Sequence, residues 1–127
     1  MTYLWVALGS ALGGVGRYWL SGLLARSIGE VFPWGTVFVN VTGSFVIGFV
    51  AFLTAADGRL IVHPDVRIFI LVGLCGGYTT FSSFSLQTLM LLRDGDVVRA
   101  GLNIAGSVVL CLGAVWLGAV AGLLLNR

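Results

Sequence analysis

Phe81 and Phe84, with Thr80 and Ser83 beside them, and Asn40, Asn103 and Ser107 are the residues whose types and spacing can do chemistry in this chain. All are uncharged and all lie in otherwise apolar stretches, where a polar group costs free energy unless it has a partner or lines water. Thr36, Asn40, Ser44 and Gly48 recur every four residues, which is one face of a helix. Asn103, Ser107 and Cys111 repeat the spacing. In a third stretch Thr80, Phe84, Gln87 and Thr88 share a face, with Phe81 and Ser85 next to it. Taken singly, each polar residue is explained by a hydrogen bond between helices. Three aligned tracks together point to a narrow polar pathway or a shared polar seam. The buried donors are hydroxyls and amides with one cation, Arg17, a set that favours an anion or a neutral solute over a cation.

Residues 73–85, GLCGGYTTFSSFS, interrupt what otherwise reads as one long buried helix. Gly76 and Gly77 are expected to let the helix stop, with a break over 75–80 near mid-membrane, and Thr79 or Thr80 to cap a second half-helix. Non-helical backbone at that depth is tolerated only where it is buried in protein or lines a cavity. Such a break presents carbonyls that suit a cation and N–H groups that suit an anion. Phe81 and Phe84 follow on one face. An aromatic ring is positive at its edge, so two edges can touch a small anion without the trap of a fixed charge. Ordinary packing is the other account of that pair.

What is missing narrows the function further. Glu30, Asp57, Asp65, Asp94 and Asp96 all fall between the apolar stretches, so no membrane carboxylate is available to exchange protons for a substrate. The one histidine, His63, precedes Pro64 and reads as a surface residue. Cys75 and Cys111 read as two small apolar thiols with no second ligand pair. Nothing here supports an enzyme.

The elements that must position these residues follow from composition. The chain has 127 residues, 58% of them hydrophobic and only 9% charged, and a mean hydropathy of +1.05. A soluble domain carries about a quarter charged residues. This one is expected to be an all-α membrane protein, a single domain over 1–127 with helices near 3–25, 36–56, 66–92 and 100–125. Each stretch reaches the ~20 residues that cross a bilayer. With four passes, Arg59, Arg67 and Arg127 share one side and Arg26, Arg93 and Arg99 the other. Orientation follows the Lys/Arg bias of short loops, and three against three supplies none. Either a minor difference still sets one orientation, or the chain inserts both ways and opposed copies pair. Small residues four apart (Gly9 and Gly13, Ser10 and Gly14, Ser44 and Gly48, Gly118 and Gly122) predict close helix packing, within or between chains.

Gly76-Gly77-Tyr78-Thr79-Thr80-Phe81-Ser82-Ser83-Phe84-Ser85 resembles the third-helix signature of the Fluc (CrcB) fluoride channels. Trp34-Gly35-Thr36-Val37-Phe38-Val39-Asn40 resembles their second-helix motif, and residues 13–17 their glycine-arginine pattern in the first helix. The likeness covers the whole chain. It implies an antiparallel, dual-topology homodimer in the cell membrane of a prokaryote, passively exporting fluoride through two pores built by both subunits and so conferring fluoride resistance. On the matching positions Phe81 and Phe84 would line the pore, Asn40 would donate to fluoride, and Ser107 would belong to the polar track. Thr80, Ser83 and Asn103 would join that pathway. A structural sodium ion on the dimer axis would be held by the backbone carbonyls of Gly76 and Thr79 from both chains. Arg17 would sit toward a vestibule at the mouth or snorkel to the interface. The permeant, the bilayer and a second copy are the implied partners, and no nucleic acid is.

The sequence departs from that pattern at Gln87, where members often carry Glu, at Cys111, where a hydroxyl is common, and at Asn103, which replaces a larger His or Tyr. Ser83 stands for Thr and keeps the hydroxyl. Two other classes compete. A small dual-topology multidrug or cation exporter would need a glutamate in the first helix, and there is none. A purely structural membrane subunit would tolerate replacement of Asn40, Phe81 and Phe84.

Overall fold

A computed structural model describes all 127 residues, and every element in it is helical. Helix α1 spans Thr2–Ile28 and α2 Trp34–Leu53. A short α3 at Pro64–Ile68 runs into a π-helical segment at Phe69–Cys75 and a last turn, α4, at Gly76–Tyr78. Helix α5 follows at Phe81–Arg93 and α6 at Val97–Leu125. The stretches Trp34–Leu53, Pro64–Arg93 and Val97–Leu125 are long and apolar enough to cross a membrane. Helix α1 is long enough at 27 residues, about 40 Å. Its glycines, aromatic residues and Arg17 leave it less apolar than the other three.

Only 19 of 127 residues are buried, and the outer surface is covered by Leu, Val, Phe and Trp. A surface of that kind is stable in lipid and not in water. The interior is small. Its largest fully buried side chains are Val39 and Asn103.

Helices α2 and α6 make the most extensive contact in the chain. Their backbones touch because Gly48 faces the Val115 carbonyl and Gly118 the Phe45 carbonyl, and neither site has room for a Cβ. Helix α1 lies against the π-helical segment in the same way. A Cβ on Gly9 would stand 2.6 Å from the Phe69 carbonyl oxygen. Without a hydrophobic force between helices in lipid, close backbone approach is what holds such pairs.

The ends are tied by side chains. His63 caps α3, its Nδ1 accepting the Asp65 N–H at 3.2 Å. Arg67 donates to the Ala51 carbonyl and to Thr54 Oγ1, both at 3.1 Å, and so caps the end of α2. Asn126 accepts the Arg59 N–H at 2.6 Å and donates to the Phe52 carbonyl at 3.2 Å, joining the end of α6 to the α2–α3 connection. Gly95 turns the chain from α5 to α6 with φ 79°. Asp96 caps α6 through the Arg99 N–H and pairs with the Arg99 guanidinium at 2.6 Å. Those bonds, the guanidinium's first, hold the Asp96 carboxyl below the ordinary carboxylate range.

One expectation needs correction. Gly76 and Gly77 do not end the helix: Gly76 is helical, at φ −63° and ψ −39°, and Gly77 lies inside α4. The residues that leave helical geometry are Thr79, with ψ 157°, and Thr80, with φ −151° and ψ 120°. Gly77 is glycine for a packing reason, since a Cβ there would meet the Ser10 carbonyl oxygen at 2.5 Å. A threonine tolerates extended backbone better than helix, because its branched Cβ is stiff.

Candidate functional site

The site starts from the backbone groups released at Thr79 and Thr80. A continuous helix would aim the Thr80 N–H at the Gly76 carbonyl. Here it donates to Asn40 Oδ1 at 2.7 Å, and Asn40 Nδ2 donates back to the Thr80 carbonyl at 3.0 Å. The Gly77 carbonyl accepts from Arg17 Nε at 3.2 Å. The Ser83 N–H, which would otherwise serve the Thr79 carbonyl, donates to Thr80 Oγ1 at 3.2 Å, the cap of α5. Helices α1 and α2 therefore each send one polar side chain to the interruption.

A cavity of about 410 Å³ opens beside it. Asn40 from α2, Gly76 from α4, Thr79 and Thr80 from the interruption, Phe81 and Phe84 from α5, and Ser107 from α6 share its wall. These are seven of the residues singled out from the sequence. The Phe81 and Phe84 rings lie 5.4 Å apart between centroids, inclined at 47°. Phe81 is 79% exposed, so its ring leans on little else in the chain. No carboxylate or histidine lines this cavity.

Arg17 and Ser83 line a second cavity instead, of about 1050 Å³, on the other side of Thr80. That space carries Gln87, whose Oε1 is buried with no hydrogen-bond partner. Arg17 is held by one nitrogen at the Gly77 carbonyl and lines this cavity, so its charge stands at the larger opening. Asn103 reaches neither cavity. It is 1% exposed and lies behind Ser107, whose hydroxyl donates to Asn103 Oδ1 at 3.3 Å. Asn103 Nδ2 in turn donates to Thr88 Oγ1 at 2.9 Å, and Thr88 to the Phe84 carbonyl at 2.7 Å.

Periodicity placed Asn40 and Thr80 on facing tracks, but not the bidentate pairing of one with the other's backbone. Nor did it give the link between the Tyr78 hydroxyl and Thr42 Oγ1, 2.8 Å, that ties α4 to α2. The readable signal for the first was the four-residue spacing of Thr36, Asn40 and Ser44 toward a segment rich in hydroxyls, whereas Thr42 lies off that face.

Comparison with known proteins extends over the same chain. Residues 4–119 match the family described as CrcB-like protein, Camphor Resistance (CrcB). The chain belongs to the CrcB family. This family member is 58% identical over 127 residues to a fluoride-specific ion channel FluC of Methylocella silvestris, covering all of this chain and 97% of that one. It is 64% identical over 124 residues to the FluC of Opitutus terrae, covering 98% of this chain and 94% of that one. Against the FluC of Paramagnetospirillum magneticum the identity is 58% over 127 residues, with 100% and 99% covered. With its three apolar helices, this CrcB chain is a membrane protein.

Proposed function

We propose that this chain is a fluoride-specific ion channel of the cell membrane, acting passively to lower cytoplasmic fluoride. One observation carries the reading. Asn40, Thr80, Phe81, Phe84 and Ser107 share a cavity without a carboxylate, in a chain similar from end to end to proteins named fluoride-specific ion channels. Amide, hydroxyl and ring-edge contacts favour a small anion, and the absence of fixed charge lets it leave again. The driving force needs no coupling residue. Hydrogen fluoride enters acid-exposed cells as a neutral molecule and ionises inside, and the membrane potential then drives the anion out.

All four passes cross the bilayer in this reading, α1 included, with Thr79 and Thr80 near the midplane. Two copies in opposite orientations form the functional unit. Three features support this: the balanced arginines, the exposed Phe81 ring, and Gly76, beside which a Cβ would find no neighbour within 4 Å. Each pore is then built by both copies.

A structural sodium ion fits the same place. The amides that would close on the Gly76 and Thr79 carbonyls are committed to Asn40 and Thr80 Oγ1, which leaves two hard oxygen donors in each chain. Carbonyls of unwound backbone and of half-helix C-terminal ends are sodium ligands in other membrane proteins. Gly76 and Thr79 from both copies would hold the ion, and its charge would join the two interruptions.

The test is ion efflux from liposomes holding the purified protein, fluoride against chloride. Fluoride should leave much faster than chloride and faster than from empty vesicles. Equal loss from empty and protein-bearing vesicles would sink the channel reading. A proton-coupled exporter is not favoured, because Asp65, the one carboxylate in the membrane-competent helices, sits in the first turn at Pro64–Ile68, and Glu30 and Asp94, which line the larger cavity, lie in the connections just beyond α1 and α5.

A further inference from the structure

We propose that Asn40 acts on conduction through Thr80, as a positioning residue that sets the start of α5 and the placement of the Phe81 ring. The proposal rests on the channel reading and deepens it. Both functional ends of the Asn40 amide are taken by the backbone of one residue: Oδ1 by the Thr80 N–H at 2.7 Å and Nδ2 by the Thr80 carbonyl at 3.0 Å. That is the exchange by which one strand residue pairs with another. It selects the extended geometry at Thr80, φ −151° and ψ 120°.

Thr80 is also the cap of α5, and Phe81 is that helix's first residue. A rotation at Thr80 therefore swings Phe81 directly. Packing inside the chain cannot resist the swing, because Phe81 is 79% exposed and stacks only against Phe84. The Asn40 pairing supplies what packing does not. An Asn amide has two N–H donors, so one remains after Thr80 is served. Any direct contact with the permeant falls to that single N–H, while the other and the carbonyl oxygen hold the wall.

The two roles separate experimentally. The wild-type channel and Asn40→Ala are labelled with 15N-threonine and with 4-fluorophenylalanine at position 81, in detergent micelles without fluoride. The positioning role predicts that the Thr80 amide of the wild type exchanges with solvent at least about tenfold more slowly than a free amide. In Asn40→Ala that protection should be lost and the Phe81 19F resonance should shift or broaden. Fluoride efflux from liposomes should drop about tenfold with the loss of one such hydrogen-bonded group. Fast Thr80 exchange in the wild type overturns the proposal, even if the variant fails to fold. So does an Asn40→Ala protein whose Phe81 resonance is unmoved while its efflux falls, because Asn40 would then act on the anion alone. A wild type that protects Thr80 but does not move fluoride would remove the channel reading and leave the pairing standing.

Discussion

Ser107 and Asn103 occupy one face of α6 four residues apart, yet the structure gives them different work. Each hydroxyl carries one proton, so the direction of every bond can be followed. Ser107 donates to Asn103, Asn103 to Thr88, and Thr88 to the Phe84 carbonyl, so the relay ends on the backbone of a residue that lines the cavity. Ser107 lines the cavity and must turn its proton from Asn103 to serve an anion. Asn103 never meets the cavity and serves as the buried support. Asn103→Leu should therefore cost about 1–3 kcal/mol of stability by taking the acceptor from the Ser107 hydroxyl and the donor from Thr88 Oγ1, read as a lowered thermal unfolding midpoint in detergent. Phe81→Leu should do the reverse. Its ring is 79% exposed, so the fold should hold its midpoint. Fluoride efflux should fall up to about tenfold, the worth of a lost ring-edge contact. An unchanged flux would take Phe81 off the pathway.

At the scale of elements, the apolar lengths and small-residue spacings of the sequence place the helices and their closest contacts. Gly118 faces the Phe45 carbonyl and Gly122 the Phe49 carbonyl, so their four-residue spacing is the seam between α6 and α2. Gly118→Ala should force those backbones apart at a cost of about 1–3 kcal/mol or more. Thermal unfolding of the variant checks this, and a midpoint equal to wild type would mean the seam relaxes freely. Gly14, by contrast, has no neighbour, although its spacing from Ser10 looks the same on paper. Spacing marks a face but cannot say which partner arrives at it. The same limit explains the interruption. Two adjacent glycines looked like its cause, and their real constraint is the approach of α1 at Ser10 to Gly77. The π-helical geometry of Phe69–Cys75 left no mark in composition. Within it Gly73 packs against α1, where a Cβ would come within 2.9 Å of the Gly9 Cα. The site was more legible than the backbone around it. Asn40, Thr80 and Ser107 are read from polarity in an apolar context, and lipid makes that signal sharp, whereas Phe81 and Phe84 are read from their place just after the interruption.

At the scale of the whole molecule, function in the proposed reading depends on how the chain enters the membrane. Arg59, Arg67 and Arg127 stand against Arg26, Arg93 and Arg99, and the positive-inside bias is balanced. The balance can be tipped at positions outside the cavity of Asn40, Thr80 and Ser107, Arg26 being one that lines the larger cavity. Arg26→Gln with Arg93→Gln leaves one arginine against three and should place the termini in the cytoplasm in nearly every copy. Arg59→Gln with Arg127→Gln tips the count the other way and spares Arg67, which caps α2 through Ala51 and Thr54. Neither variant alone can then form an antiparallel pair, so each expressed singly should fail to restore fluoride resistance to a sensitive host. Expressed together, they supply one copy of each orientation, and resistance should return. Labelling a single added cysteine at the C-terminus from each side of the membrane reports whether orientation shifted. If either variant is fully oriented and still protects by itself, the antiparallel pair is not the conducting unit, and the exposed Phe81 ring must complete its pathway within one chain or in a parallel assembly.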